Sequence, residues 1–137
     1  MNYILDTQIF IFLNEDNPVL PTIVKEFVAN EEVKLYISEA TLMEMAILAN
    51  NQYIETYPSF DKYITNKLFS NEIRVLGLDL LDYRVLSKLP QHHRDPHDRL
   101  IIAQAISHGF TVISTDHYFP PYQVDGLKLL SVAKKKY

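Results

Sequence analysis

The sequence of 137 residues contains no cysteine, no tryptophan and only three glycines. The lack of cysteine excludes disulfides and thiolate metal sites, but it does not identify the cellular compartment. No apolar run approaches the roughly 20 residues that a membrane-spanning helix needs, so a membrane protein is not expected. The first residues lack a basic region, so a secretory signal peptide is not expected either. We therefore take a cytoplasmic location as the default.

The composition is that of an ordinary globular domain. Hydrophobic residues make up 47% of the chain and charged residues 22%, so the chain can bury a sizeable core. The length fits one domain over residues 1–137, and no repeat, low-complexity segment or linker divides it. The net charge of −4 argues against a broad basic surface for nucleic acid. A nuclease is not excluded, because bound cations change the charge at a local site.

Short apolar runs alternate with segments of helical periodicity along the whole chain. Strands are predicted at 2–5, 33–37, 74–78, 111–114 and 127–130. Helices are predicted from the Asp6-Thr7 turn to about Asn14, over 23–29, from Ser38 to about Asn50, from Asp79 through Leu86 and over 96–108, with 52–70 as a helical arm broken at Pro58-Ser59. The segment 117–126 is predicted to be a loop. This alternation predicts an α/β fold with a parallel sheet and right-handed crossovers.

The stretch 92–108, HHRDPHDRLIIAQAISH, has the clearest helix signals. Asp95 is a favourable N-cap, Pro96 occupies the first helical position, and Gly109 follows the end of the helix. Asp98 lies in the first turn, at the end of the apolar stripe that should face the core. A carboxylate there needs a partner, because an unpaired buried charge is costly. The helix itself supplies none.

Four acidic residues are predicted to gather at one edge of the sheet: Asp6, Glu44, Asp98 and Asp116. Asp6 and Asp116 follow strands, and ligands of parallel α/β sheets bind beyond the carboxyl ends of the strands. The placement of Asp98 at this edge depends on the topology. Glu44 lies inside the apolar stripe predicted for its helix, which consists of Ala40, Met43, Ile47 and Leu48.

Each acid also has a simpler interpretation. Asp6 is a possible helix cap, Asp116 a turn residue, and Glu44 a partner for a lysine. Asp98 can interact with the helix dipole or pair with Arg94 or Arg99. Taken together, four carboxylates at one edge without an obvious cation would raise one another's pKa values. Ligands that are all oxygen suit Mg²⁺ or Mn²⁺.

The basic residues near these acids are interpreted more simply. The spacing of His92, His93 and His97 fits no zinc pattern, so we expect histidines exposed on a loop. Arg94 and Arg99 are candidate contacts for a substrate phosphate, with surface ion pairs as the alternative. The tail 134–136 (Lys-Lys-Lys) is expected to be frayed and solvated, with contact to RNA as the alternative.

Four segments of the chain resemble the PIN-domain family, in particular toxin ribonucleases of the VapC type. They occur in the family's order and are Leu5-Asp6-Thr7, Ser38 followed by Met43-Glu44 with Ala46-Ile47, the stretch from His93 to Ala105, and Ile113-Ser114-Thr115-Asp116. The third segment resembles the HRDPFDRLLIAQA signature of one subgroup. The chain departs from that subgroup at Met43, Leu48 and His97, where tryptophan, lysine and phenylalanine are usual.

The resemblance implies a three-layer α/β/α sandwich with a central parallel sheet and a site that cleaves RNA with a divalent metal. It matches Asp6, Glu44, Asp98 and Asp116 to the catalytic, metal-holding acids. It matches Thr7 and Thr115 to supporting hydroxyls, whereas Asp95 matches a further acid that we interpret as a helix cap.

The implied function is a Mg²⁺-dependent or Mn²⁺-dependent endoribonuclease, the toxin of a type II toxin–antitoxin pair. Its partners would be the RNA substrate, a cognate antitoxin protein and a second copy of the chain. The aromatic-rich stretch from Tyr53 to Phe69 is a candidate contact surface, with core packing as the alternative for some of its rings.

Two other classes of function remain open at this point. In a catalytically silent metal-binding or protein-interaction module, the acids would be caps and surface residues. A receiver-like phosphotransfer domain also places acids at strand ends, but it needs a lysine at the end of its last strand. Lys128 comes early in that strand and matches poorly.

Overall fold

The computed structural model describes residues 1–136, and its elements follow the predicted order. They are β1 (Asn2–Leu5), α1 (Thr7–Asn14), α2 (Thr22–Ala29), β2 (Lys34–Ser38), α3 (Glu39–Asn50), α4 (Phe60–Ser70), β3 (Ile73–Leu76), α5 (Leu80–Leu86), α6 (Pro96–His108), β4 (Thr111–Ser114), a 3-10 helix (Pro120–Asp125) and β5 (Lys128–Ser131). The predicted strands are all present: β1 and β4 have the predicted bounds, and the ends of the other three are shifted by one or two residues. Two predictions are wrong: residues 52–59 are irregular rather than helical, and the predicted loop 117–126 contains the 3-10 helix.

All five strands form one parallel sheet in the order β3-β2-β1-β4-β5. The first strand is therefore central, with Leu5 paired to Ile37 of β2 on one side and to Ile113 of β4 on the other. The order reverses direction at β1, which is the kind of switch point where parallel α/β sheets bind ligands. Asp6 continues the central strand, and its main-chain N–H donates to the carbonyl of Ile113 at 3.1 Å.

Helices cover both faces of the sheet, which confirms the predicted α/β/α sandwich. The central strand alternates between two cores, with Tyr3 and Leu5 in one and Ile4 in the other. The first core is closed by residues of α1, α2 and α4, and the second by residues of α5, α6 and the 3-10 helix. Strands buried on both faces explain why the sequence shows short, continuous apolar runs.

The buried face of α3 differs from the predicted stripe. Met43 and Ile47 are 60% and 44% exposed, whereas Thr41 and Met45 are buried. Apolar residues occur on every side of this helix, so its periodicity does not identify the inward face. Packing of α3 against both α1 and α6 decides it. Glu44 is half-buried, beside the buried face rather than within it.

No helix within residues 1–136 is both long and apolar enough to cross a membrane.

Candidate functional site

A pocket of about 570 Å³ lies beyond the carboxyl ends of the central strands. The residues predicted from the sequence to form a site all line it, namely Asp6, Thr7, Glu44, Asp98, Thr115 and Asp116. The topology explains why α6 contributes. This helix precedes β4 and returns antiparallel to it, so its N-terminus, which carries Asp98, lies at the carboxyl edge of the sheet.

Asp6 is held rigidly by the start of α1. It is the N-cap of that helix, and its Oδ1 accepts a hydrogen bond from the main-chain N–H of Ile9 at 2.8 Å. Its Oδ2 accepts a hydrogen bond from the Ser114 hydroxyl. The cap interpretation is therefore correct, and it coexists with a place in the pocket, because a capping carboxylate keeps further lone pairs.

Ser114 connects two of the acids, a role that the sequence did not reveal. Its buried hydroxyl donates to Asp6 and accepts from the main-chain N–H of Asp116 at 2.9 Å. Asp116 in turn begins a turn, since its Oδ1 accepts from the main-chain N–H of Tyr118 at 2.8 Å. The only sequence signal for Ser114 was its position as the last residue of a buried strand, two residues before the predicted acid Asp116.

His93 belongs to the site, so the prediction of an exposed loop histidine is wrong for this residue. It is 9% exposed, and its Nε2 lies 2.9 Å from Asp116 Oδ2 and 3.2 Å from Asp98 Oδ2. His92 is exposed as predicted. His97 is half-buried in the first turn of α6, with its Nδ1 3.4 Å from Asp95 Oδ1, so the prediction is wrong for His97 as well. Local spacing cannot distinguish the three, because the fold of the loop before α6 buries only one of them.

Two of the carboxylates lie in an environment that disfavours their charged forms. Burial, together with the negative charges of Asp95, Glu44, Asp6 and Asp116, raises the pKa of Asp98 to about 8. Burial also raises the pKa of Asp6 to about 6, against the opposing effect of the hydrogen bonds from Ser114 and Ile9. Among residues 1–136, no lysine or arginine forms an ion pair with any of the four acids.

The arrangement suits a hard divalent cation. Glu44 Oε1 is buried and has no hydrogen-bond partner among the residues that the structure describes. A buried carboxylate oxygen in this state is unfavourable unless something binds it. The donors that face one another across the pocket are mainly carboxylate oxygens, which are the preferred ligands of such cations. A bound cation would also offset the burial and the repulsion that together raise the two pKa values.

The predicted supporting threonines occupy different positions. Thr7 is buried, and its Oγ1 lies 3.0 Å from that of Thr41, a hydrogen bond that joins α1 to α3 beside the pocket. Thr115 is half-buried between Ser114 and Asp116 and lines the pocket. Asp95 is the N-cap of α6, as interpreted from the sequence, and accepts from the main-chain N–H groups of His97 and Asp98.

Arg99 is a structural residue, so its predicted contact with substrate is wrong. Its buried guanidinium donates to the carbonyls of Leu89 and Pro90 at 3.1 and 2.8 Å and to the Tyr122 hydroxyl at 3.2 Å. These bonds tie the loop before α6 to the helix, and the guanidinium does not line the pocket. Arg94 is exposed and lies just before the start of α6.

Lys134 is exposed, as predicted for the tail, and it also lines the acidic pocket. Its Nζ lies 5.5 Å from the centre of the Phe12 ring, within the range of a cation–π interaction. The main-chain N–H of the next residue, Lys135, donates to the carbonyl of Val19 at 2.9 Å. The chain after β5 therefore packs back against the loop after α1.

Replacing Arg99 with methionine should lower the free energy of unfolding by about 2–3 kcal/mol, because buried carbonyls of the loop before α6 lose their donors. Arg94→Met is the matched control and should change stability by less than about 0.5 kcal/mol, since its side chain is exposed. Urea unfolding of both variants measures the difference. Equal midpoints for the two variants would contradict the assigned role of Arg99.

The metal-free protein should become less stable as the pH rises from about 4 to 8. Unfolded aspartates ionise near their model value of 3.8, whereas folded Asp6 and Asp98 hold their protons up to about pH 6 and 8. At pH 8 in EDTA, Asp98→Asn should therefore raise the free energy of unfolding by about 1–3 kcal/mol, and with it the melting temperature by a few degrees. At pH 4 the substitution should change the melting temperature little. Scanning calorimetry at both pH values provides the check, and an Asp98→Asn variant that is less stable than the native chain at pH 8 would contradict it.

Among the solved structures that share this fold is a member of the VapBC family of toxin–antitoxin systems, VapBC-5 from Mycobacterium tuberculosis. The chain is similar to a chain in the structure of VapBC2 from Rickettsia felis bound to a promoter DNA fragment, with 17% identity, a TM-score of 0.70 and coverage of 96% of this chain and 98% of that one. It is also similar to a chain of DNA-bound VapBC from Salmonella typhimurium, with 22% identity, a TM-score of 0.70 and the same coverages. A further similar structure is FitAcB from Neisseria gonorrhoeae, with 17% identity, a TM-score of 0.62 and coverage of 94% and 96%. At these identities the likeness establishes the fold alone.

A search of curated proteins finds no match to the sequence. The model of the PIN domain family, in contrast, matches residues 3–124. That match extends from the central strand to the 3-10 helix and includes all four pocket acids. The chain therefore belongs to the PIN domain family.

Proposed function

We propose that this protein is an endoribonuclease that depends on Mg²⁺ or Mn²⁺ and acts as the toxin of a type II toxin–antitoxin pair. The observation that carries the proposal is the convergence of Asp6, Glu44, Asp98 and Asp116, from four separate elements, on one pocket. Caps and surface acids have no reason to converge in this way, since repulsion opposes it. Membership of the PIN domain family and the VapBC and FitAcB structures of similar fold support the same proposal.

The four acids are the proposed metal ligands and catalytic residues. A divalent cation bound there would supply a water of lowered pKa and would stabilise negative charge on the phosphate. Glu44 is the better candidate to accept a proton, because its Oε1 has no hydrogen-bond partner among residues 1–136. Both carboxylate oxygens of Asp116 are already engaged, one by Tyr118 and the other by His93. Thr7 and Thr115 are proposed to support the carboxylates beside them.

The substrate proposed for this pocket is RNA. The pocket is open at the sheet edge and mainly acidic, so a phosphodiester would bind it poorly without a cation. Two positive side chains are proposed to contact neighbouring phosphates. Lys134 lines the pocket, and exposed Arg94 lies by the start of α6.

A cognate antitoxin and a second copy of the chain are the proposed protein partners, and the cytoplasm the proposed location. The predicted contact stretch divides into two parts. Tyr53, Tyr57 and Phe69 are exposed, whereas Phe60 and Tyr63 pack against the first core. The exposed rings are candidates for such a contact, since exposed aromatic groups are enriched in protein interfaces.

The sharpest test is Glu44→Gln, which keeps the size of the side chain and removes its charge. The native protein should cleave RNA with Mg²⁺ and lose cleavage in EDTA, and Glu44→Gln should reduce kcat by at least about 100-fold. Glu26→Gln is the matched control, because Glu26 is exposed on α2 away from the pocket. Gel analysis of a defined RNA and isothermal titration with Mn²⁺ give the two readouts.

Cleavage that survives both EDTA and Glu44→Gln would overturn the proposal, because the activity would then arise elsewhere or from a contaminant. Mn²⁺ binding without cleavage of any RNA tested would favour the silent metal-binding module. Absence of Mn²⁺ binding by a folded protein would favour a module whose acids serve as caps. Transfer of phosphate from acetyl phosphate to Asp6 would favour the receiver-like domain, although Lys128 Nζ lies near the Gly109 carbonyl, away from the pocket.

Lys134→Ala should raise KM for RNA several-fold and leave kcat nearly unchanged, because the lost contact is to a phosphate that does not react. Lys136→Ala is the control, as Lys136 is exposed and does not line the pocket. The two variants should also differ in the dependence of KM on salt. Equal KM values would show that Lys134 does not contact the substrate.

A further inference from the structure

We infer that His93 is a positioning residue of this site: a neutral imidazole whose Nε2–H holds the carboxylates of Asp98 and Asp116 together for a cation. The inference rests on the proposed metal site and goes beyond it, since it assigns a role to a residue that is neither a ligand nor a substrate contact. It is carried by the hydrogen bonds around the two ring nitrogens.

The Nε2 atom joins two different elements of the fold. It lies 2.9 Å from Asp116 Oδ2, in the loop after β4, and 3.2 Å from Asp98 Oδ2, in the first turn of α6. Through this one atom the ring brings together two carboxylates that would otherwise repel each other. The two carboxylate oxygens and Nε2 all lie within 4.8 Å of one another.

The Nδ1 atom determines which nitrogen carries the proton. The main-chain N–H of Asp95 donates to Nδ1 at 3.1 Å, so Nδ1 must present a lone pair. A neutral ring with a lone pair on Nδ1 carries its proton on Nε2. Nε2 is therefore a donor, directed at the two carboxylates.

This tautomer opposes a role of His93 as a ligand, although its position beside two acids suits one. A metal would need the lone pair of Nε2, and the proton would move to Nδ1, where it would face the Asp95 N–H. Histidine ligands have the opposite arrangement, in which the second nitrogen donates to an acceptor. His93 therefore acts on the metal through Asp98 and Asp116.

The ring has little freedom to leave this position. The main-chain N–H of His93 donates to the Tyr122 hydroxyl at 2.8 Å, and the carbonyl of His93 accepts from the Arg99 guanidinium. The ring packs edge-on against Tyr118 and Phe119, with centroid distances of 5.4 and 5.8 Å. A buried, fixed donor orients the two carboxyl groups before a cation arrives.

The test compares His93→Leu, which removes the donor, with His93→Gln, whose side-chain amide can donate from nearly the same place. The matched control is His92→Leu, since His92 is the exposed neighbour. His93→Leu should lose about 10–100-fold in Mn²⁺ affinity, the usual effect of removing a residue that orients a ligand. His93→Gln should retain most of the affinity, and His92→Leu should match the native protein. Calorimetric titration of Mn²⁺ into each folded protein gives the values, and thermal unfolding confirms that each variant is folded.

A second measurement uses ¹H–¹⁵N spectra of the imidazole rings. In the native protein the His93 ring should show a protonated Nε2 and an unprotonated Nδ1, and this pattern should persist when Mg²⁺ is added. A proton on Nδ1, or loss of the Nε2 proton on addition of Mg²⁺, would overturn the inference in favour of a ligand. Because this spectrum reports the tautomer in any folded variant that keeps His93, a poorly folded His93→Leu does not leave the question open.

The outcomes also separate this inference from the proposed function. Reduced Mn²⁺ affinity in His93→Leu together with rescue by His93→Gln supports the positioning role even if no RNA is cleaved. Native Mn²⁺ affinity in His93→Leu overturns the positioning role even if the protein is an active ribonuclease. A native protein that binds no Mn²⁺ overturns both.

Discussion

The repulsion between carboxylates that the fold holds together at the carboxyl edge of its sheet is the constraint on which the site depends. Asp6 and Asp98 have raised pKa values because they are buried and because other acids lie near them. A protein that had evolved for stability alone would replace one of these acids with a neutral residue. The unfavourable free energy of holding these acids together is explained if a cation occupies the pocket in the functional protein. The unpartnered Oε1 of Glu44 indicates the same.

The residues around the acids hold them in place with a network of hydrogen bonds. Ser114 links Asp6 to the main chain of Asp116, and His93 links Asp116 to Asp98. The loop that carries His93 is in turn held by the buried guanidinium of Arg99 and the hydroxyl of Tyr122. Neutral hydrogen-bond donors thus surround the acids, so the negative charge available to a cation is not consumed by lysine or arginine.

Residues that look alike in the sequence have different roles because the fold separates them. Arg94 and Arg99 lie five residues apart on the same signature, yet one is exposed and the other ties a loop to a helix. Adjacent His92 and His93 differ in the same way. Whether one of these histidines is buried depends on which side of the loop before α6 faces the 3-10 helix. That helix lies about 30 residues further along the chain.

The sequence by itself determined the order of the elements, the parallel α/β architecture and the four acids, because apolar periodicity, helix caps and strand ends are local signals. It could not determine the inward face of α3, where apolar residues lie on every side, or the tie between Ser114 and Asp6, which are 108 residues apart. Only the tertiary structure decided that Lys134 reaches the acidic pocket and that His93 is buried between Asp98 and Asp116. Those contacts join residues distant along the chain, and a local pattern carries no information about them.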